Sequence, residues 1–330
     1  LLKILTHICS ITKQEGPELS YLNLRIIQSS HGISIDQTQH IEKTILQPFF
    51  SGIDIKNIYF RESPFPRDNS VERLLFNEFP LDEISHSNLS KQYHGSVSKW
   101  IGSLMHISVW TRVDINYAVT RLSGYMACPK PTCFKILHQL MEYIYHQPHY
   151  PIFYRTNNIS SSIQLQVSAK KGTGEYLINP NSHPTLKSFA DADQSRDMSD
   201  RVSISSIIFT INGNLVHWIC RKQAMVGLSS NHTEMLTLLQ AVKTTNVMRR
   251  LLQQLGYPQL GPTNIAEDNQ PLITEVTHSR ITPGIRHLDV PIAFLQEQFQ
   301  RHSFKPIYTK TTDQPADINT KPHGGGSLRK

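Results

Sequence analysis

Apolar positions along this chain switch between two periods, and the switches outline its elements. Residues 21–27 read as a strand, 29–32 as a turn and 33–36 as the returning strand, a hairpin pattern. Residues 39–46 have helical spacing that is expected to stop before Pro48. From 51 to about 94 neither period holds, and Pro64, Pro66 and Pro80 among many Asn and Ser predict a loop or linker. Residues 97–126 return to helical spacing as two helices broken around Thr111-Arg112. Ile101, Leu104, Met105 and Ile107, then Ile115, Ala118, Val119 and Leu122, form their core side. A further helix is expected over 132–145.

Residues 166–184 are polar, contain Lys170-Lys171-Gly172 and Gly174, and mark the expected domain boundary. Beyond it come strands at 185–191, 203–211 and 215–220, the last two joined through Asn212-Gly213-Asn214, a strong hairpin signal. A long helix from 231 to 255 stops at Gly256 with Pro258 following. A strand at 264–267, helices near 269–276 and over 288–301, a strand at 304–308 and a helical start at 314–319 complete the pattern. Three antiparallel strands followed by alternating helices and strands predict an α/β fold whose sheet has a parallel half.

Composition narrows the class. A length of 330 residues suggests about two domains, and 38% hydrophobic with 18% charged residues excludes a wholly disordered or fibrous chain. No apolar run reaches the roughly 18–20 residues of a membrane span. The first eleven residues carry Lys3 and His7 and lack a small-residue cleavage site, so no signal peptide is expected. A first residue of Leu fits a piece cut from something longer. The surplus of 33 Lys+Arg over 26 Asp+Glu, +7, favours a polyanionic partner, nucleic acid before membrane. Cys9, Cys128, Cys133 and Cys220 are too few and scattered for a disulfide framework and fit a reducing compartment. Cys128 and Cys133 are not at a zinc spacing, so no structural zinc is expected.

Four acids then stand out. Asp191 ends the first strand of the second domain, Glu234 lies early in the long helix, Asp268 follows the fourth strand, and Asp317 begins the last helix. In an open α/β sheet, strand ends and helix starts meet at one edge. Carboxylates gathered there repel unless hard cations neutralise them, and oxygen ligands suit Mg²⁺ or Mn²⁺. Two such ions about 3.5–4 Å apart can activate water and stabilise the leaving oxygen of a phosphodiester. Each acid also has a plainer reading. Glu234 is three residues after Asn231 and could complete a capping box. Asp268 and Asp317 could serve helix N-termini, and Asp191 could share a solvated turn with Asp193. It is the order strand, helix, strand, helix that favours the joint reading.

That order, with its flanking residues, resembles the pol polyprotein of copia-type retrotransposons over nearly the whole chain. The carboxy-terminal matches are Asp191-Ala192-Asp193, Asp200-Arg201-Val202-Ser203, Val216-His217-Trp218 with Arg221-Lys222-Gln223, the stretch 229–234, Glu267-Asp268-Asn269-Gln270, Arg286-His287-Leu288-Asp289 and Ala316-Asp317-Ile318-Asn319-Thr320-Lys321-Pro322. Earlier matches are Tyr21-Leu22-Asn23-Leu24-Arg25-Ile26, Gly32-Ile33 with Gln37, Gly102-Ser103-Leu104-Met105, Thr111-Arg112-Val113-Asp114-Ile115 with Tyr117-Ala118-Val119, and Arg121-Leu122-Ser123.

The resemblance implies a ribonuclease H-like mixed five-stranded sheet with flanking helices over 184–322, preceded by an α+β reverse-transcriptase tail and connection region. Residues 1–50 would be the end of the palm/thumb region, 51–96 an irregular linker, 97–183 a helical thumb/connection region and 323–330 a tail. It further implies a hydrolase cutting the RNA strand of RNA–DNA hybrids with two Mg²⁺ ions, Mn²⁺ being an alternative. Asp191 would bridge both ions, Glu234 and Asp268 would complete one, and Asp317 the other. Arg221, Lys222, Gln223 and Gln270 would contact phosphates or sugars, and Trp218 is read as core rather than base-stacking. Minor-groove contacts to 2′-hydroxyls would identify the RNA strand. Partners would be the hybrid and the rest of the pol polyprotein. The location implied is cytoplasmic virus-like particles, the nucleus, or both.

The chain departs from the family's pattern at several positions. The polymerase motif Tyr-X-Asp-Asp is absent, so no DNA synthesis is expected of this chain alone. Gln194 replaces a Trp, Asn23 a Gly, Val113 a Pro and Asn319 a Phe, and Tyr308 stands where His is frequent. None removes a ligand. Together they support a second reading, a catalytically silent remnant that binds nucleic acid, and loss of the aromatic at 319 is expected to loosen the last helix around Asp317.

Overall fold

A computed structural model describes residues 16–68, 70–155, 184–193, 200–278 and 286–321. The expected hairpin is present with an additional leading strand. β1 (Glu18–Tyr21), β2 (Leu24–Ser29) and β3 (Gly32–Asp36) form an antiparallel meander, which β4 (Ile152–Arg155) extends beside β3. The β1–β2 turn is Leu22-Asn23, at φ +48° and +66°. Asparagine tolerates this left-handed backbone better than other non-glycine residues, so Asn in place of the family's Gly keeps the turn. Gly32 has no such substitute: at φ +147° an added Cβ would lie 2.0 Å from the Tyr154 carbonyl oxygen of β4.

Helix α1 covers 38–49 and runs through Pro48 instead of stopping before it. Its middle, Ile41–Leu46, is wound as a wider π turn, with the Gln47 N–H donating to the Glu42 carbonyl five residues back. That widening relieves the proline ring of its usual clash with the preceding turn. The stretch read as irregular holds two helices, α2 (Ser70–Asn77) and α3 (Glu83–Gln92). Asp68 accepts the Ser70 N–H (2.9 Å) and Asp82 caps α3 through the Ser85 N–H (2.7 Å). α2 has Val71, Leu74 and Leu75 at helical spacing over only two turns between prolines, and α3 carries just Ile84 and Leu89 with no residue fully buried, so neither stands out as a periodic run.

α4 (Val97–Trp110), α5 (Asn116–Ser123) and α6 (Pro131–His146) follow as expected, with the break at Thr111-Arg112 continuing as a single 3₁₀ turn, Val113–Ile115. Trp100, Ile101, Leu104, Leu137 and Leu140 pack in the core of this unit. The expected boundary segment lies outside the described residues except for its last residue, Pro184, as does the tail over 323–330.

The second unit has the sheet order β7-β6-β5-β8-β9. β5 (Leu186–Ala192), β6 (Ile204–Ile211) and β7 (Asn214–Lys222) are antiparallel, while β8 (Thr263–Glu267) and β9 (Phe304–Tyr308) add in parallel on the other side of β5. Asn212 and Gly213 take φ +51° and +80° at the hairpin, as the Asn-Gly signal requires. α7 (Ser230–Gln254), α8 (Gln270–Thr277) and α9 (Arg286–Gln300) flank the sheet. Leu238 and Val242 of α7 and Leu295 of α9 close over Ala190, Phe209 and Ile265 to form the second core. The last segment is two 3₁₀ turns, Thr311–Asp313 and Pro315–Asn319.

The two units touch along β7. Trp218 is buried, but it sits between the units: its indole N–H donates to the Ser108 carbonyl of α4 (2.8 Å). The Thr120 hydroxyl of α5 donates to the Cys220 carbonyl (3.3 Å), and the backbone N–H of Arg155 to Asn214 Oδ1 (3.0 Å). These bonds cover a sheet edge that would otherwise be open.

Candidate active site

The strand order delivers two neighbouring parallel strands, β5 and β8, whose carboxyl ends lie side by side. Asp191 is at the end of β5 and Asp268 one residue past β8. Glu234 comes from the start of α7, which packs on β5. One carboxylate oxygen from each of Asp191, Glu234 and Asp268 lies within 4.8 Å of the others. Three elements far apart in sequence thus aim acids at one point.

The plainer readings of Glu234, Asp268 and Asp191 do not hold, whereas Asp317 does lie in the first turn of a short helix, the 3₁₀ turn Pro315–Asn319. Ser229 caps α7, its hydroxyl accepting the His232 N–H (3.2 Å), so Glu234 is the fifth residue of the helix and outside any capping box. Asn269 caps α8 by accepting the Leu272 N–H (3.0 Å), which leaves Asp268 free of that duty. Asp268 Oδ2 instead accepts from the Thr311 hydroxyl (2.7 Å). Asp193 serves the backbone, accepting the Ile204 N–H (2.5 Å), while Asp191 faces the cluster.

Asp317 stands beside this trio rather than within it. The Thr320 hydroxyl donates to Asp191 Oδ2 (2.5 Å) and lies 3.4 Å from Asp317 Oδ1, so one side chain bridges the two acids. Lys321 pairs with the same Asp317 oxygen. A fifth acid, Glu267, was not singled out from the sequence. It is fully buried at the end of β8, where Oε1 accepts the Asn269 N–H (3.1 Å) and Oε2 has no partner. The available signal was an acid following the apolar pair Ile265-Ala266 at the end of a short strand.

Burial pushes the Asp191 carboxyl up to about 7; Asp317 and Asp268 add to the rise, and the Thr320 hydroxyl opposes it. Glu234 is also held well above the usual carboxylate range, by burial first and then by Glu267, Asp191 and Asp268. Burial raises Glu267 likewise. A raised folded-state pKa means that the folded form holds its proton more tightly than the unfolded chain. The stabilising contribution of Asp191 is therefore complete below about pH 4, the ordinary carboxylate value, and is lost as pH rises through about 7. In chelator the melting temperature is expected to fall from about pH 5 to 8, and millimolar Mg²⁺ to recover most of the loss. A flat profile in differential scanning fluorimetry, unchanged by Mg²⁺, would contradict this.

A divalent ion fits the donor set. All donors are hard carboxylate oxygens, and Glu234 Oε2 is buried with no hydrogen-bond partner, a state that a cation would relieve.

The residues expected to touch nucleic acid divide. Arg221 and Gln270 are exposed, with Arg221 resting on Gln240 (2.8 Å), and Lys222 pairs with Asp200 (2.8 Å). The Gln223 amide points inward, donating to the Ser205 hydroxyl (3.0 Å) and the Thr233 carbonyl (2.9 Å), and ties β7 to α7.

Asn319 is fully buried, and neither its amide nitrogen nor its oxygen has a partner. Each such atom costs roughly 1–3 kcal/mol. Asn319→Leu is expected to stabilise the protein by about 1–3 kcal/mol, read as a higher urea midpoint with an unchanged slope. A lower midpoint would show that the amide is satisfied.

Mixed strand order 3-2-1-4-5 with acids at the ends of strands 1 and 4 defines a ribonuclease H-like α/β domain. No family model matches the chain. It is 25% identical over 311 residues, 94% of its length, to the retrovirus-related Pol polyprotein from transposon TNT 1-94 of Nicotiana tabacum. It is also 27% identical over 226 residues, 67% of its length, to the retrovirus-related Pol polyprotein from transposon RE1 of Arabidopsis thaliana. The chain spans 21% and 13% of the lengths of these relatives. LC11-RNase H1, isolated from compost by a metagenomic approach, superposes with a TM-score of 0.32 at 12% identity, covering 40% of this chain and 90% of that one. At that score the strand order, not the superposition, carries the fold. The chain is related to retrotransposon Pol polyproteins, and the resemblance read from its motifs is borne out.

Proposed function

We propose that the second unit is a ribonuclease H-type endonuclease that hydrolyses the RNA strand of RNA–DNA hybrids. The observation that supports this most is the convergence of Asp191, Glu234 and Asp268 within metal-sharing distance, with Asp317 alongside. Asp191, Glu234 and Asp268 would hold one divalent ion, and Asp317, sharing Asp191, the other. When bound, such ions supply Lewis-acid polarisation of the scissile phosphate and a water nucleophile at neutral pH.

The chain's own residues do the positioning. Asp191 is fixed by the Thr320 hydroxyl and Asp268 by the Thr311 hydroxyl, so both acids present a set geometry before substrate arrives. Gln223 holds α7 against the sheet and so fixes the base of Glu234. Arg221 near the end of β7 and Gln270 at the start of α8, both exposed, would take phosphate or sugar groups. As part of a longer Pol polyprotein, the domain would act during reverse transcription, in cytoplasmic particles, the nucleus, or both.

Incubating the purified chain with a labelled hybrid and Mg²⁺ or Mn²⁺ tests the reading. Shortened RNA with intact DNA is expected. An intact hybrid with both metals would leave the silent, nucleic-acid-binding remnant, the reading favoured by the two unpaired atoms of Asn319 beside Asp317.

A further inference from the structure

The charge balance around the acids is lopsided. Among the described residues, no ion pair reaches Asp191, Glu234 or Asp268, whereas Asp317 carries the ammonium of Lys321. Both sit in the same short segment, four positions apart, and the lysine side chain is 29% exposed, so its amine is held at the site and not in bulk solvent. The bridging Thr320 hydroxyl ties Asp317 to Asp191, so a cation on Asp317 faces the shared acid as well.

We infer that Lys321 is a built-in counter-ion that occupies the Asp317 side of the site, so that the resting protein takes one divalent ion and the second must displace the lysine. The inference deepens the ribonuclease reading and depends on it. An ammonium and a divalent ion compete for the same Asp317 oxygen, and each repels the other while both are near. Being tethered in the same segment, the lysine returns whenever the ion leaves. The three-acid side has no such competitor and keeps an unpartnered buried oxygen, Glu234 Oε2. Loading is therefore ordered: the trio first, Asp317 second. Lys321 is a positioning residue, acting through Asp317 rather than on substrate.

Direct Mn²⁺ titration of the full chain, without nucleic acid, tests this by counting bound ions with electron paramagnetic resonance. The parent protein is expected to bind one Mn²⁺ well and a second weakly. Lys321→Met should tighten the second site by at least about tenfold, leave the first nearly unchanged, and lower the Mg²⁺ concentration needed for half-maximal cleavage. Lys321→Arg, which keeps the charge, should bind like the parent. Equal second-site affinity in the parent and Lys321→Met would overturn the assignment, as would a Lys321→Arg variant that behaves like Lys321→Met. Lys321→Gln serves if the Met variant does not fold, with the same outcomes. Failure of the ribonuclease reading is distinguishable: there, Asp191→Asn would bind the first Mn²⁺ as well as the parent does.

Discussion

Asp191→Asn is expected to lower hydrolysis of a hybrid's RNA strand by roughly 10³-fold or more, corresponding to several kcal/mol of lost transition-state stabilisation. The change keeps the size of the side chain and the acceptor for Thr320 but removes the charge that both ions would share. Asp191 is 3% exposed, so no water substitutes for the missing carboxylate. The same substitution should stabilise the metal-free protein above pH 7, because it removes an ionised carboxylate from beside Asp317 and Asp268. Opposite signs for activity and metal-free stability mark a functional acid. A variant that keeps more than a tenth of parental cleavage, measured with saturating Mg²⁺, would place the reaction elsewhere.

The largest effect on stability is expected at Arg112, in the core of the first unit. Its side chain is 1% exposed and grips Asp114 with two bonds, Nε to Oδ1 at 2.9 Å and a terminal nitrogen to Oδ2 at 2.7 Å. The other terminal nitrogen donates to the Gln147 carbonyl (2.8 Å), and the Tyr143 hydroxyl donates to Asp114 Oδ2 (3.1 Å). Burial alone would lower the Arg112 pKa, but the Asp114 charge more than compensates, and burial lifts Tyr143 strongly. Arg112→Ala would leave Asp114 charged, buried and paired only with Tyr143. The expected cost is about 3–5 kcal/mol, a large share of the about 5–15 kcal/mol that holds a typical domain together. Urea unfolding followed by tryptophan fluorescence should show it. Arg112→Ala with Asp114→Ala should cost much less than the sum of the single changes. A single-variant midpoint equal to the parent's would mean the ion pair contributes nothing net.

Much of the second unit was legible because its signals are local. The Asn212-Gly213 turn and the Gly256 stop of α7 each constrain backbone angles within a few residues. The first unit was less legible where its signals are short or overridden: α2 spans only two turns, α3 carries just Ile84 and Leu89 as apolar residues, and α1 passes Pro48 by widening a turn. Among the acids, the sequence named four and omitted Glu267, whose burial follows from β8 lying between β5 and β9.

By itself, then, the sequence determined the order of elements in the second unit, the four acids and the basic surplus. Periodicity, turn chemistry and composition are properties of neighbours along the chain. Only the tertiary structure decided that Asp191, Glu234 and Asp268 share a point while Asp317 stands aside with Lys321, and that Trp218 seals the units together. The reason is that residues 191, 234, 268 and 317 meet through strand register and crossovers. Those are set by how the whole sheet packs, and no local preference encodes them.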